Sequence, residues 1–284
     1  MKILLIGADG QLGFEVRRAF GAGVMPLTHK DIEVSDPAQT AAVIGSAAPG
    51  AVINTAAYHS VPECEKNPET AFRVNTLGAR NIALACVQTG ARFVHISTDY
   101  VFDGRKPAPY TEEDIPRPLN TYGVSKAAGE FFVPVAGRYY IIRTSGLFGI
   151  RGCRAKDGKN FVKTMLLAAK TRPVVEVSAN VISNPTYARD AARKIKMLLE
   201  EDAPSGVYHI ANSGPCSWYE FAREIFRQAG IAVEVKPRTE TEEAEGIKRP
   251  LFTPLASVKT EPLRHWKEAL GDYLGEEADF AKEE

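Results

Sequence analysis

The chain has 284 residues, 44% hydrophobic and 25% charged, with 35 basic and 35 acidic side chains and no formal net charge. That composition suits a globular protein with a real core and excludes wholesale disorder, while the balanced charge gives no reason to expect a nucleic-acid or membrane partner. No apolar run approaches a membrane span, and the four cysteines lie far apart with no CxxC pair, so neither a metal site nor a disulfide frame is expected and a reducing cytoplasm is the expected location.

Along the chain, short apolar runs alternate with helical patterns. Residues 2–6 read as a buried first strand rather than a secretory leader, since the apolar run is short and carries one lysine. Residues 11–20 read as a helix with Leu12, Val16 and Ala19 on one stripe, and 24–27 as a second strand. A helix over 37–48 is opened by Ser35 or Asp36 as cap. A third strand covers 51–54, a long helix 68–89 ends at Gly90, and a fourth strand covers 92–97. Pro118 breaks the chain before a helix over 122–132, and 139–143 is a fifth strand. Strands and helices in this alternation predict an α/β, doubly wound parallel sheet.

After Thr144 the pattern loosens. Residues 150–160 are glycine-rich and basic and read as a loop. Helices follow over 161–170, 186–200 and 217–229, with strands at 174–177 and 207–210. Ser217 and Glu220 form a capping-box signature. This half reads as a smaller substrate domain. Residues 1–145 form the nucleotide-binding domain, 186–210 return to it, 146–185 and 211–275 grip the substrate, and 276–284 form a frayed acidic tail.

Gly7, Gly10 and Gly13 in GADGQLG follow the first strand directly and open a helix. The spacing is GxxGxxG, a variant of the dinucleotide fingerprint. Gly7 permits the tight turn, Gly10 lets backbone approach a pyrophosphate, and Gly13 lets helix and strand pack. Asp9, Gln11 and Leu12 belong to the same loop, whose free N–H groups suit phosphate. Near the end of the second strand, where an NAD site has an acidic residue, the chain reads Thr28-His29-Lys30. His29 or Lys30 there suits a 2′-phosphate, so NADPH is favoured and NADH stays open; Asp31 and Ile32 are placed beside the adenine.

Tyr122 and Lys126 form a YxxxK pair, and residues four apart share a helix face. An ammonium beside a phenol lowers its pKa, so Tyr122 is expected to give a proton to a carbonyl oxygen while hydride reaches carbon. Ser97 and Thr98 end the fourth strand, at the sheet edge where ligands bind, and Thr98 completes a hydroxyl–tyrosine–lysine set. His95, inside the strand, reads as a packed core histidine. His59 is open to either a ligand contact or a solvated turn. Trp218 and Phe221 read as core.

These residues resemble the dTDP-4-dehydrorhamnose reductase family of the extended short-chain dehydrogenases. The shared pieces are GADGQLG, NTAAYHSV, VNTLGARNIALAC, HISTDYVFDG, PLNTYGVSKAAGE, IIRTSGLFG, NFVKTML, NPTYARD and YHIANSGPCSWYEFAREIF. The resemblance implies a Rossmann domain with a small C-terminal domain for a nucleotide sugar. It implies reduction of the C4 ketone of dTDP-4-dehydro-L-rhamnose. Tyr122 would then donate the proton, Lys126 hold the nicotinamide ribose, Thr98 polarise the ketone, and Ala56, Ala57 and Tyr58 line the cofactor. Val61, Asp99, Tyr100, Asn160, Phe161 and Arg249 are implied for the sugar nucleotide. Some family members are magnesium-linked dimers, so the resemblance leaves open a magnesium ion and both monomer and homodimer.

The chain departs from the family pattern at Gly146, where tryptophan is usual, and at Ala179-Asn180 through Asn184, where an Asp-Gln pair is usual. A reductase or epimerase of another nucleotide sugar is therefore an alternative, as is a non-catalytic NADP-binding regulatory subunit. The loop with Arg151, Arg154 and Lys156 either closes on a diphosphate or is simply solvated.

Overall fold

The computed structural model describes residues 1–152, 157–244 and 246–283, with side chains to residue 277. Arg154 and Lys156 lie outside the described residues.

The first half supplies β1 (Ile3–Ile6), α1 (Gln11–Phe20), β2 (Val24–Leu27), α2 (Pro37–Ala47), β3 (Ala51–Asn54), α3 (Val61–Lys66), α4 (Pro68–Phe72), α5 (Gly78–Thr89), β4 (Arg92–Thr98), α6 (Thr121–Glu130) and β5 (Tyr139–Thr144). The second half adds β6 (Leu147–Phe148), α7 (Phe161–Ala169), β7 (Val174–Ser178), β8 (Ile182–Ser183), β9 (Thr186–Tyr187), α8 (Ala188–Glu200), β10 (Gly206–His209), then α9 (Trp218–Ala229) and α10 (Trp266–Glu283).

Among the described residues, six strands make one parallel sheet in the order β10-β5-β4-β3-β1-β2. The chain runs outward from β1 to β2, then returns to pair β3 on the other side of β1. The carboxyl ends of β1 and β3 therefore flank a switch point, where open α/β sheets bind ligands. Side chains alternate across the sheet. Ile3 and Leu5 join Val16 of α1 and Ile195 of α8 in one core, while Leu4 and Ile6 join Ile44 of α2 and Ile82 of α5 in another. A third core lies in the second half, where Phe148, Val162, Val175, Tyr187, Phe221, Trp266 and Tyr273 pack together. Trp218 and Phe161 pack against it.

Several boundaries differ from the sequence reading. The helical run over 68–89 is interrupted by a π-helical turn, Arg73–Leu77, whose Asn75 is buried. Helix α3 went unread; Pro62 stands in its first turn, where a missing N–H costs nothing. Helix α8 begins at Ala188 because Thr186 and Tyr187 pair with Leu147 and Phe148. The tail is corrected as well: Glu276 lies inside α10, and its carboxylate binds Tyr187, Arg18 and Arg189. Those three partners hold Glu276, the first residue of the stretch that composition alone reads as frayed. Among the described residues no helix is long and apolar enough to cross a membrane.

Candidate active site

The glycine loop is drawn tight by backbone bonds. The N–H groups of Gly7 and Ala8 both donate to Leu27 O at 3.0 Å, and Thr55 Oγ1 donates to the carbonyls of Ile6 and Gly7 at 2.8 and 3.0 Å. Gly7 sits at φ +80°, and a Cβ there would lie 2.7 Å from Ala56 N; one on Gly13 would run into Gly7 O. Helix α1 starts at Gly10 with no side-chain cap and no acidic residue in its first turn. Its opening N–H groups are thus left for an anion. Gln11 Oε1 is buried with no hydrogen-bond partner among the described residues. Arg151 lies over the ring of Phe14 in α1, its guanidinium 5.4 Å from the centroid.

Beyond β2, Asp31 folds back on its own turn, accepting from Thr28 N at 2.7 Å and Thr28 Oγ1 at 2.8 Å, and these bonds hold its carboxyl below the usual range. His29 and Lys30 are exposed beside it. Ile32 is corrected: at 2% exposure it belongs to the second core rather than to an adenine site. Ala56, Ala57 and Tyr58 follow β3, and Asn75 holds that segment by accepting from Tyr58 N and donating to Tyr58 O, both at 2.9 Å. Asn75 also donates to Ser125 Oγ at 3.0 Å, tying the segment to α6. Sequence reading missed Asn75, which nothing in the run distinguishes from the neighbouring amides Asn81 and Gln88. His59 stays exposed, with Nδ1 3.3 Å from Ala57 O.

Helix α6 carries Tyr122 and Lys126 to the carboxyl end of β4. Asn120 caps it, accepting from Gly123 N at 2.9 Å and donating to Lys248 O at 2.9 Å. Glu65 of α3 accepts from Thr121 N and Oγ1, both at 2.7 Å. Gly123 is needed because any Cβ would strike the carbonyl of Tyr100. Tyr122 is half-buried; desolvation raises the pKa of its phenol, and the Thr98 hydroxyl within hydrogen-bonding reach counters part of that rise. Tyr100 packs edge-on to Tyr122, centroids 6.0 Å apart, and Arg249 acts electrostatically on Tyr100.

Lys126 departs from the sequence expectation. It is 2% exposed, its Nζ donates to Ile96 O at 2.6 Å and stands 3.2 Å from His95 Nε2. Burial pushes its pKa down to about 8. The Tyr122 phenol is therefore raised by burial rather than lowered by Lys126, because the amine turns into the sheet.

Ser97 Oγ donates to Glu130 Oε1 at 2.5 Å, and Glu130 is also held by Arg143 at 3.0 and 2.7 Å, so Ser97 is committed to a buried ion pair. Asp99 accepts from Thr98 Oγ1 at 3.2 Å, Ser145 Oγ at 3.0 Å and Thr253 Oγ1 at 2.6 Å; burial raises its pKa. Val61 opens α3, half-buried. Asn160 and Phe161 are occupied elsewhere. Asn160 caps α7 and donates to Gly149 O at 2.7 Å, and Phe161 stacks on Phe221 in the third core. The geometry thus gathers Thr98, Asp99, Tyr100, Tyr122, Lys126 and Arg249, and spends Asn160 and Phe161 on packing.

A phenol and a hydroxyl over a parallel-sheet rim, with a buried lysine one turn along and an uncapped glycine-rich helix start, belong to the extended short-chain dehydrogenase/reductase class of NAD(P)H-dependent oxidoreductases. Within that class the model of the family described as "RmlD substrate binding domain" matches residues 1–278, and the chain belongs to this family, that of the dTDP-4-dehydrorhamnose reductases. The spore coat polysaccharide biosynthesis protein SpsK of Bacillus subtilis is 39% identical over 283 residues, 97% of each chain. A dTDP-4-dehydrorhamnose reductase from Clostridium acetobutylicum superposes with a TM-score of 0.91 at 38% identity, covering 97% of this chain and 99% of that one. The Bacillus anthracis dTDP-4-dehydrorhamnose reductase, solved in complex with NADP, gives a TM-score of 0.90 at 36% identity, covering 97% of this chain and all (100%) of that one.

Proposed function

We propose that this enzyme reduces the C4 ketone of dTDP-4-dehydro-L-rhamnose to give dTDP-L-rhamnose, with NADPH as the reductant. The observation that carries the reading is the pairing of buried Thr98 with half-buried Tyr122 at the carboxyl rim of β4, beside Lys126. The residues present fit a dinucleotide: an uncapped helix start, glycines that let backbone close in, and Gln11 Oε1, without a partner among the described residues. Gly7, Gly10 and Gly13 would hold the diphosphate, His29 and Lys30 the 2′-phosphate, and Ala56 to Tyr58 the far side. When bound, the nicotinamide supplies hydride to the carbonyl carbon.

Tyr122 gives its phenolic proton to the ketone oxygen, and its raised pKa keeps that proton in place at neutral pH. Thr98 donates a second hydrogen bond to the same oxygen. Lys126 holds the nicotinamide ribose. Tyr100 and Arg249 face the nucleotide sugar, and the lobe built on the third core supplies the rest of its site.

Reduction of another nucleotide sugar is a second reading, favoured by Gly146. This residue sits at φ +52°, and a Cβ there would lie 2.8 Å from Asn184 O, so the two departures from the family pattern touch and leave no room for an indole. A thermal-shift panel of dTDP-, UDP- and GDP-sugars with NADPH, followed by NADPH-oxidation assays on the hits, tests both. A ligand that binds the folded form raises Tm. The primary reading expects the largest shift and turnover with the dTDP sugar; a UDP or GDP sugar in first place would replace it.

A further inference from the structure

Asn54 ends β3, and the register of β3 on β4 sets it directly against His95. Lys126 reaches the same histidine from α6. Asn54 and Lys126 are 2% exposed and His95 is 1% exposed, so bulk solvent does not reach them and their donors and acceptors face one another.

The balance has one solution. Asn54 Oδ1 accepts from Ala56 N at 3.1 Å, which fixes the amide orientation. The Asn54 atom 3.3 Å from His95 Nδ1 is therefore Nδ2, which only donates. Nδ1 must accept, and the imidazole proton sits on Nε2. Protonating both nitrogens would set donor against donor, and burial with Lys126 alongside keeps the ring's pKa well below its ordinary value. The Nε2–H points at Lys126 Nζ, 3.2 Å away. An ammonium has donors only, whereas a free amine accepts from Nε2–H and still donates to Ile96 O.

The other ionisable groups around the lysine do not reverse this. Glu130 draws its pKa upward, but that carboxylate is already paired with Arg143. Tyr122 lies one turn earlier on α6, with Cys64 from α3 and Asp99 after β4 acting on it; the phenol is raised by burial, and so is the thiol, to about 11. Burial raises Asp99 as well.

We propose that Asn54 and His95 are positioning residues that hold Lys126 as a free amine in the cofactor-free enzyme at alkaline pH, so that capture of the anionic dinucleotide there draws one proton from solvent onto Nζ. This rests on the cofactor reading above. Uptake shifts the imidazole proton from Nε2 to Nδ1 and turns the Asn54 amide over. The Ala56 N–H, against which a Cβ on Gly7 would sit at 2.7 Å, is then released beside the glycine loop. Lysine protonation and cofactor contact are thereby one event.

Two measurements test it. In ¹⁵N-histidine spectra of the cofactor-free protein at pH 9, with His95→Gln to assign the signal, His95 is expected as the Nε2–H tautomer; an Nδ1–H tautomer overturns the proposal. In calorimetric titrations of NADPH at pH 9, in buffers of different ionisation enthalpy, binding is expected to take up close to one proton. Correspondingly, the apparent Kd rises about tenfold per pH unit above about 8. Asn54→Asp accepts from His95 Nδ1–H and turns Nε2 into an acceptor for the ammonium, so uptake and pH slope are expected to vanish. Binding without proton uptake in the wild type, or unchanged uptake in Asn54→Asp, refutes the device while leaving the cofactor reading intact. Absence of binding by NADPH and NADH alike removes that reading and the proposal with it.

Discussion

Lys126→Met is expected to make the cofactor-free protein more stable at pH 7 while abolishing turnover. Moving a lysine from its ordinary 10.5 to about 8 by burial means that the native state resists its charge. At about 1.4 kcal/mol per tenfold, the penalty is roughly 3 kcal/mol, with no discount for solvent at a buried site. Methionine has a similar shape and no charge, but it forfeits the bond to Ile96 O, worth about 1 kcal/mol. The net gain is about 2 kcal/mol, or roughly 3–4 °C in Tm for a chain of 284 residues. Because the folded pKa lies below the unfolded one, the penalty is complete below about 8 and fades as pH rises towards 10.5. Melting curves at pH 7 and pH 10 should therefore show the advantage shrinking. A variant that melts below the wild type at pH 7, or an advantage equal at both pH values, would refute the reasoning.

Other expectations follow from the same geometry. Tyr122→Phe should keep the NADPH Kd and lose roughly a hundredfold or more in kcat, since the proton donor alone is removed; an unchanged kcat would defeat its role. Gly7→Ala places a side chain at φ +80° against Ala56 N, so denaturant melts should show a loss of at least about 1–2 kcal/mol together with weaker cofactor binding. Burial raises the Glu276 carboxyl, but bonds from Tyr187 and Arg18 outweigh it and hold the group below 4.5. Its contribution is therefore present above that pH and lost as pH falls through the folded value. Glu276→Gln should cost about 1 kcal/mol at pH 7 and flatten the acid side of the Tm profile; identical acid limbs would count against the clamp.

Much of the sheet was legible because short continuous apolar runs and glycine turns are local signals. The bounds of α1, β2 and β3 follow from short local patterns, and GADGQLG and YGVSK suggest their chemistry by spacing. The chain itself thus determined a doubly wound fold, a glycine loop opening α1 and a hydroxyl–tyrosine–lysine set. Tertiary structure decided which groups meet. Ile32 turns into the core instead of towards an adenine, Asn160 and Phe161 go to packing, and Glu276 anchors a helix rather than fraying. Above all, Lys126 meets His95 and Ile96 rather than tuning Tyr122. Residues 54, 95 and 126 are separated by dozens of positions, and strand register and helix docking alone put their donors and acceptors within reach. Once water is shut out, the proton state of each depends on the others, a property that no local pattern carries.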